Sequence, residues 1–365
     1  MRIFTMVALL LAIGLLSLHG QATNEPVDFQ KARQLYERRQ QGQTLTAEEQ
    51  NYLERAMAAR NNSGPGGAPP AANQRKAPEH LPPLCDMRAA DRYEGEDGGL
   101  YGGGRNTPPE GHRQAALGQL ARIRPLNAAG EPDENGVIGF VAISMSNATQ
   151  EFSRFKQVAD PSPRKSPKVS IVDCAQGGQT MAQWAPAGAP AWAEAKRRLE
   201  RAGVSPKQVQ VAWIKLANAA PSGSLQEHGR KLESDTLAVL HNVRALFPNM
   251  RIAYLGSRIY GGYAVSGLNP EPYAYEGAFA VRWLIQRQIK GDPELGESKS
   301  PLLLWGPYLW ADGAKGRKID NLVWERNDFG PDGTHPSDSG CRKVAGLLLD
   351  FLTTDPLAKP WFAKP

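Results

Sequence analysis

The sequence predicts an α/β domain, a parallel sheet with helices on both faces, preceded by a small helical hairpin and a linker. Three observations carry that expectation. Short runs rich in Val, Ile and aromatic residues alternate with helix-like periods from about residue 137 onward, the pattern of strands joined by crossover helices. A Gly/Pro/Ala-rich stretch over 61–83 separates this region from a Gln/Glu/Arg/Ala-rich one before it, as a linker does. Of the 365 residues 41% are hydrophobic and eight are Trp, enough for a core and too many for a disordered chain.

In chain order, the first segment is an address. Arg2 precedes an apolar run from Met6 to Leu18, and Gly20-Gln21-Ala22 offers a small-x-small cleavage site. This reads as a signal peptide over 1–22, which places the mature chain in a secreted or periplasmic setting. A retained anchor is the alternative, for which the run is short, and no later stretch approaches the length of a bilayer span. Residues 23–60 hold two helical stretches, Asp28–Gln40 and Thr46–Arg60. Thr46 followed by Glu49 resembles a capping box, and Leu35, Tyr36, Tyr52, Leu53 and Met57 provide an apolar seam.

The domain proper is expected over 84–365. Its candidate strands are Val137–Ile143, Val169–Val172, Val209–Leu216, Ile252–Leu255 and Leu302–Trp305. Its candidate helices are Ala148–Gln157, Ala191–Arg201, Leu225–Leu246, Glu271–Ile289 and Ser339–Leu352. The glycines of 98–104 precede no strand–loop–helix ending in Lys-Ser/Thr, so this is a turn-rich opening segment rather than a phosphate loop.

Composition excludes several functions. Lys plus Arg number 43 and Asp plus Glu 37, but the excess of +6 is spread thinly, with no block to attract nucleic acid or anionic lipid. There is no CxxC and no HExxH, so no zinc knuckle or metalloprotease is encoded, and no metal or cofactor is expected. Cys85, Cys174 and Cys341 allow at most one internal disulfide; Cys174 is either packed or paired.

In a parallel sheet the site lies beyond the carboxyl ends of the strands. The first strand runs into Ser144-Met145-Ser146-Asn147, the second into Asp173-Cys174-Ala175-Gln176-Gly177-Gly178, and the third into Leu216-Ala217-Asn218-Ala219. Before the last helix stands Asp332-Gly333-Thr334-His335-Pro336-Ser337. A serine needs a base, and an imidazole base needs a carboxylate to hold its tautomer. Ser146, His335 and Asp332 fill those roles, and Gly178 and Asn218, with the Ser146 N–H, can supply oxyanion donors. Each residue alone has a plainer reading: Ser146 as a helix cap, Gly178 and Asn218 as turn residues, His335 as a surface histidine. Ser337 is read as the cap of the last helix. No Gly-x-Ser-x-Gly elbow occurs.

Together the four blocks resemble the SGNH hydrolase (GDSL-like) superfamily, over about residues 85–355. The resemblance implies a three-layer α/β/α flavodoxin-like sandwich with a five-stranded parallel sheet. It implies Ser146 as nucleophile, Asp332 and His335 as its partners, and Gly178 and Asn218 at the oxyanion. Ser144, two residues earlier, falls outside the family register. The chain departs from the family with Ser144-Met145 where Gly-Asp is usual, and with Leu216-Ala217-Asn218-Ala219 where Gly-x-Asn-Asp is usual.

Between the fourth strand and the end of the fifth, aromatics interleave with Gly and Arg. Trp283 and Trp305 are expected in the core, and Tyr260, Tyr263, Tyr308 and Trp310 in the cleft, where such rings suit the apolar faces of sugars. The function expected is an exported serine esterase removing an acyl group, acetyl on a carbohydrate, with an acylated small molecule as its partner. The alternative is a catalytically impaired carbohydrate-binding module on the same fold, which the altered neighbours of Ser146 and Asn218 motivate.

Overall fold

A computed structural model describes residues 28–40, 43, 45–63 and 75–364. The expected signal peptide, 1–22, and residues 64–74 of the expected linker lie outside these. Among the described residues no helix is long and apolar enough to cross a membrane. The chain divides into two compact units, Met1–Gly67 and Ala68–Pro365.

The first unit holds helices α1 (Phe29–Gln40) and α2 (Ala47–Ser63). Ala32, Leu35, Leu45, Leu53 and Ala56 are buried between them, with Tyr36 and Tyr52 at the margin. The expected capping box is formed: the Glu49 N–H donates to Thr46 Oγ1 and the Thr46 N–H to Glu49 Oε2. The Met57 side chain lies outside the described residues.

In the second unit, residues 75–83, expected as linker, instead carry the buried Leu81 and a hydrogen bond from Arg75 to Glu276. The sheet consists of β1 (Ile138–Ile143), β2 (Val169–Asp173), β3 (Val209–Lys215), β4 (Ile252–Gly256) and β5 (Leu302–Trp305). All neighbours pair in parallel, in the order β2-β1-β3-β4-β5. Every residue of β1, β3 and β4 is buried, which is why β1 and β4 read as apolar runs; in β3 the apolar run is broken only by Gln210 and closed by Lys215.

Alternate residues along each strand enter two separate cores. On one face Val141, Ile143, Ile214 and Leu255 pack with α6 (Pro190–Arg201), α7 (Leu225–Leu246) and α8 (Tyr273–Ile289). On the other, Phe140, Ala142, Trp213 and Tyr254 pack with α4 (Ser146–Ala159) and α9 (Asp338–Thr354). The result is the expected three-layer α/β/α sandwich with flavodoxin-like strand order. Because β1 lies between β2 and β3, the topological switch point falls at its carboxyl end.

Three helices were not among those expected: α3 (Glu110–Leu120), α5 (Met181–Trp184) and α10 (Lys359–Phe362). The first contains Gly111 and Gly118, weak helix formers held by tertiary packing of Ala116 and Leu120. The other two are single turns, too short for a period to show. Cys85, Cys174 and Cys341 are all unpaired, and burial pushes the Cys85 and Cys341 thiols up to about 12. Cys174 is a core residue.

Candidate active site

Ser146 is the first residue of α4, directly after the turn that leaves β1. The helix cap is Met145 rather than Ser146, and the hydrogen bond of the Ser146 hydroxyl is to His335 rather than to the backbone. Its Oγ lies 2.7 Å from His335 Nε2, and His335 Nδ1 lies 2.5 Å from Asp332 Oδ2. An ionised carboxylate only accepts, so Nδ1–H donates to Asp332, Nε2 is left as acceptor and the Ser146 hydroxyl donates to it. The structure thus joins Ser146, His335 and Asp332 into one hydrogen-bonded chain across a sequence gap of almost 190 residues.

The loop that carries Asp332 and His335 is fixed from several sides. Asp332 Oδ1 accepts the N–H groups of Thr334 and His335, each at 3.0 Å. Burial acts to raise the Asp332 carboxyl, but the His335 hydrogen bond and charge and these two N–H groups outweigh it, holding it at about 2. Gly333 sits at φ 63°, and a Cβ there would fall 1.7 Å from the Tyr263 carbonyl oxygen, so no other residue fits. The Thr334 carbonyl accepts from Asn147 Nδ2 at 2.9 Å and from Arg258 Nη2 at 3.2 Å. That carbonyl ties the histidine loop both to the residue after Ser146 and to the end of β4. Beyond it, Ser337 caps α9 by accepting the Gly340 N–H. The His335 and Asp332 side chains keep 19% and 34% of their exposure, so the site is open to a substrate.

Loops after β1, β2 and β3 are cross-linked at the same edge. The Gln176 N–H donates to the Ser144 carbonyl at 2.9 Å, and the Met181 N–H to the Ala217 carbonyl at 3.0 Å. Gly178 lies exposed on the loop after β2 at φ 76°, and among the described residues its N–H finds no acceptor. Asn218 is held firmly: Oδ1 accepts the Ala182 N–H at 2.9 Å and Nδ2 donates to Asp235 Oδ2 at 2.6 Å. One N–H of that amide is left for another acceptor. Ser144 is fully buried and its hydroxyl donates to the Lys215 carbonyl, which removes it as a rival nucleophile.

Not every expected residue reaches the cleft. Tyr308 is 5% exposed and its hydroxyl accepts the Leu84 N–H; Trp310 is fully buried and its indole donates to Glu271. Both belong to the core, which corrects the expectation that they face substrate: the Trp310 ring packs against Tyr275 of α8 and the Tyr308 ring edge-on to Trp305. The half-buried Tyr263 donates its hydroxyl to the Trp324 carbonyl and packs edge-on to Phe329, bracing the histidine loop. Tyr260 remains at the surface of a cavity of about 330 Å³ beside Pro78, Leu81 and Asp312. Trp283 and Trp305 are in the core as expected.

Sequence reasoning passed over Asn147, Asp235 and Arg258, and the buried pair Lys215–Glu151, whose Nζ lies 2.6 Å from both carboxylate oxygens. Burial pushes the Lys215 ammonium down to about 8 despite Glu151 beside it. Arg258 stands two residues beyond β4, at the same sheet edge as the other site residues, and that position was its only signal.

No protein-family model matches the chain, and no curated protein matches it. Among solved structures it is similar to a candidate acylhydrolase of Bacteroides fragilis, at 12% identity and a TM-score of 0.37, covering 69% of this chain and all of that one. It is also similar to the periplasmic domain of a lipopolysaccharide acetyltransferase of Salmonella serovar Paratyphi A, at 12% identity and TM-score 0.33, covering 67% and 96%. A Bacillus subtilis protein matches at 11% identity and TM-score 0.34, covering 63% of this chain and 59% of its own.

Proposed function

We propose that this chain is an exported serine esterase of the SGNH kind that removes acyl groups, acetyl on carbohydrate, from its substrate. The observation that carries the reading is the unbroken chain Ser146–His335–Asp332, with distances of 2.7 and 2.5 Å. In the first half-reaction His335 Nε2 takes the Ser146 proton as Oγ attacks the ester carbonyl. The imidazolium so formed is stabilised by Asp332 and returns the proton to the leaving alcohol. Water then repeats the sequence on the acyl-serine. The developing oxyanion falls to the N–H groups of Ser146 and Gly178 and the remaining N–H of Asn218. Ser146 at the start of α4 adds the positive end of that helix.

Tyr260, at the surface of its cavity, and the expected signal peptide support a carbohydrate substrate. Treating the pure protein with a fluorophosphonate and locating the label by mass spectrometry tests the mechanism. Label on Ser146, lost in His335→Ala, is the expected result. An intact fold that takes no label would move the protein to the non-catalytic carbohydrate-binding reading.

A further inference from the structure

A cavity of about 360 Å³ opens beside the loops that carry Gly178 and Asn218, within the size range of small-molecule sites. Its lining combines the apolar Leu216 and Leu232 with Arg258 and Asn269. Arg258 is 3% exposed, yet only its Nη2 finds an acceptor, the Thr334 carbonyl, and its Nε has no partner. Among the described residues no carboxylate pairs with it; Glu151, Asp332 and Glu271 act on it only at longer range. Asn269 is 6% exposed, donates Nδ2 to the Asn218 carbonyl, and leaves Oδ1 with no donor.

A buried cation without a counter-ion and a buried amide oxygen without a donor are both costly, unless a ligand completes them. The two demands differ. Guanidinium calls for oxygen acceptors, best two together with negative charge; Asn269 Oδ1 calls for an O–H or N–H. The other charges at this cavity are already matched: Lys231 pairs with Asp235, and Glu227 caps its own helix. Arg258 is therefore the group whose charge a ligand would balance. Through the Thr334 carbonyl, which accepts from both Arg258 and Asn147, this part of the cavity lining is tied to the residue before His335 and the residue after Ser146.

We infer that this cavity is a subsite for a carboxylate-bearing sugar, with the carboxylate on Arg258. The inference deepens the esterase reading and rests on it for the acyl group, though binding can be tested without turnover. Titration calorimetry of the whole chain with D-galacturonate, methyl D-galacturonate and D-galactose is the measurement. Galacturonate should bind about tenfold more tightly than either neutral sugar, and less tightly as salt is raised.

Arg258→Gln should erase that preference. Because Arg258 also braces the histidine loop, Ser222, exposed at the rim of the cavity, supplies a second handle. Ser222→Glu should weaken galacturonate about two- to fivefold and Ser222→Lys should strengthen it, with galactose unchanged, as one added charge within several ångströms requires. Equal binding of acid and neutral sugars, no binding at millimolar concentration, or indifference to charge at residue 222 would each overturn the subsite. Acid preference without fluorophosphonate label would keep the subsite and remove the esterase; label without acid preference would do the reverse.

Discussion

Replacing Asp332 by Asn tests the mechanism at its most constrained point. Asp332 Oδ1 faces two N–H donors, those of Thr334 and His335, at 3.0 Å, and Oδ2 faces His335 Nδ1 at 2.5 Å. An asparagine keeps its oxygen on the two donors, since an NH₂ there would meet both. Its NH₂ is then left opposite His335 Nδ1. That nitrogen must become the acceptor, so the ring proton moves to Nε2 and points at the Ser146 hydroxyl 2.7 Å away. Ser146 then faces a donor and has no base. In Ser-His-Asp enzymes this wrong tautomer costs about 10⁴ in kcat, equal to about 5.4 kcal/mol at 1.36 kcal/mol per decade. Shape and backbone hydrogen bonds survive, so the melting temperature should move by only a few degrees. Steady-state hydrolysis of 4-nitrophenyl acetate supplies kcat and KM. The double variant Asp332→Asn with His335→Ala should be no slower than His335→Ala alone, because the carboxylate acts only through the imidazole. A fall smaller than tenfold, or additive losses in the double variant, would refute the orienting role of Asp332.

Four further outcomes follow from the same geometry. Asn218→Ala should lower kcat by about 10²-fold with little change in KM, as loss of an oxyanion donor does; a loss confined to KM would make Asn218 a positioning residue. Gly333→Ala, whose Cβ would lie 1.7 Å from the Tyr263 carbonyl oxygen, should cost far more stability than Gly178→Ala, whose Cβ meets nothing within 4 Å and bears only the strain of φ 76°, about 1–2 kcal/mol; equal melting temperatures would contradict this. Glu151→Ala should destabilise by about 3–5 kcal/mol in denaturant titration by stranding Lys215, and Lys215→Met with Glu151→Leu should recover most of that; no recovery would argue against a simple charge-pair account. Burial raises the Asp173 carboxyl from 3.8 to about 6 against hydrogen bonds from Thr149, Ser153 and the Ala175 N–H. The folded chain therefore holds more protons than the unfolded one between those values, and Asp173 adds stability as the pH falls from about 6 toward 3.8. Wild type should gain on Asp173→Asn over that window in thermal melts, and a difference independent of pH would refute it.

The five strands and the long helices were legible because a buried parallel strand is mostly apolar and a packed helix keeps its period. Each expected strand lies within a residue or two of the observed one, as Val209–Leu216 against β3 shows. Ser146, Gly178, Asn218 and the Asp332–His335 loop were likewise visible, since each stands just past a strand end or before the last helix, where parallel sheets build sites. The short turns α5 and α10 left no period to read.

Side-chain direction is what the sequence could not express. Tyr260, Tyr308 and Trp310 are all aromatic, yet packing on Trp305 and on Tyr275 of α8 sends Tyr308 and Trp310 into the core and leaves Tyr260 at a surface. Arg258 looked like any solvated arginine until the fold buried it against the Thr334 carbonyl without a counter-ion. The architecture and the order of the site blocks could be read along the chain, because periodicity and strand ends are local properties. Folding in three dimensions is what brings Ser146 to 2.7 Å from His335, holds Asn218 on Asp235 and leaves Arg258 without a carboxylate partner at a cavity. Burial and hydrogen-bond partnership are properties of which segments meet in space, and residues far apart in the chain carry no local mark of that meeting.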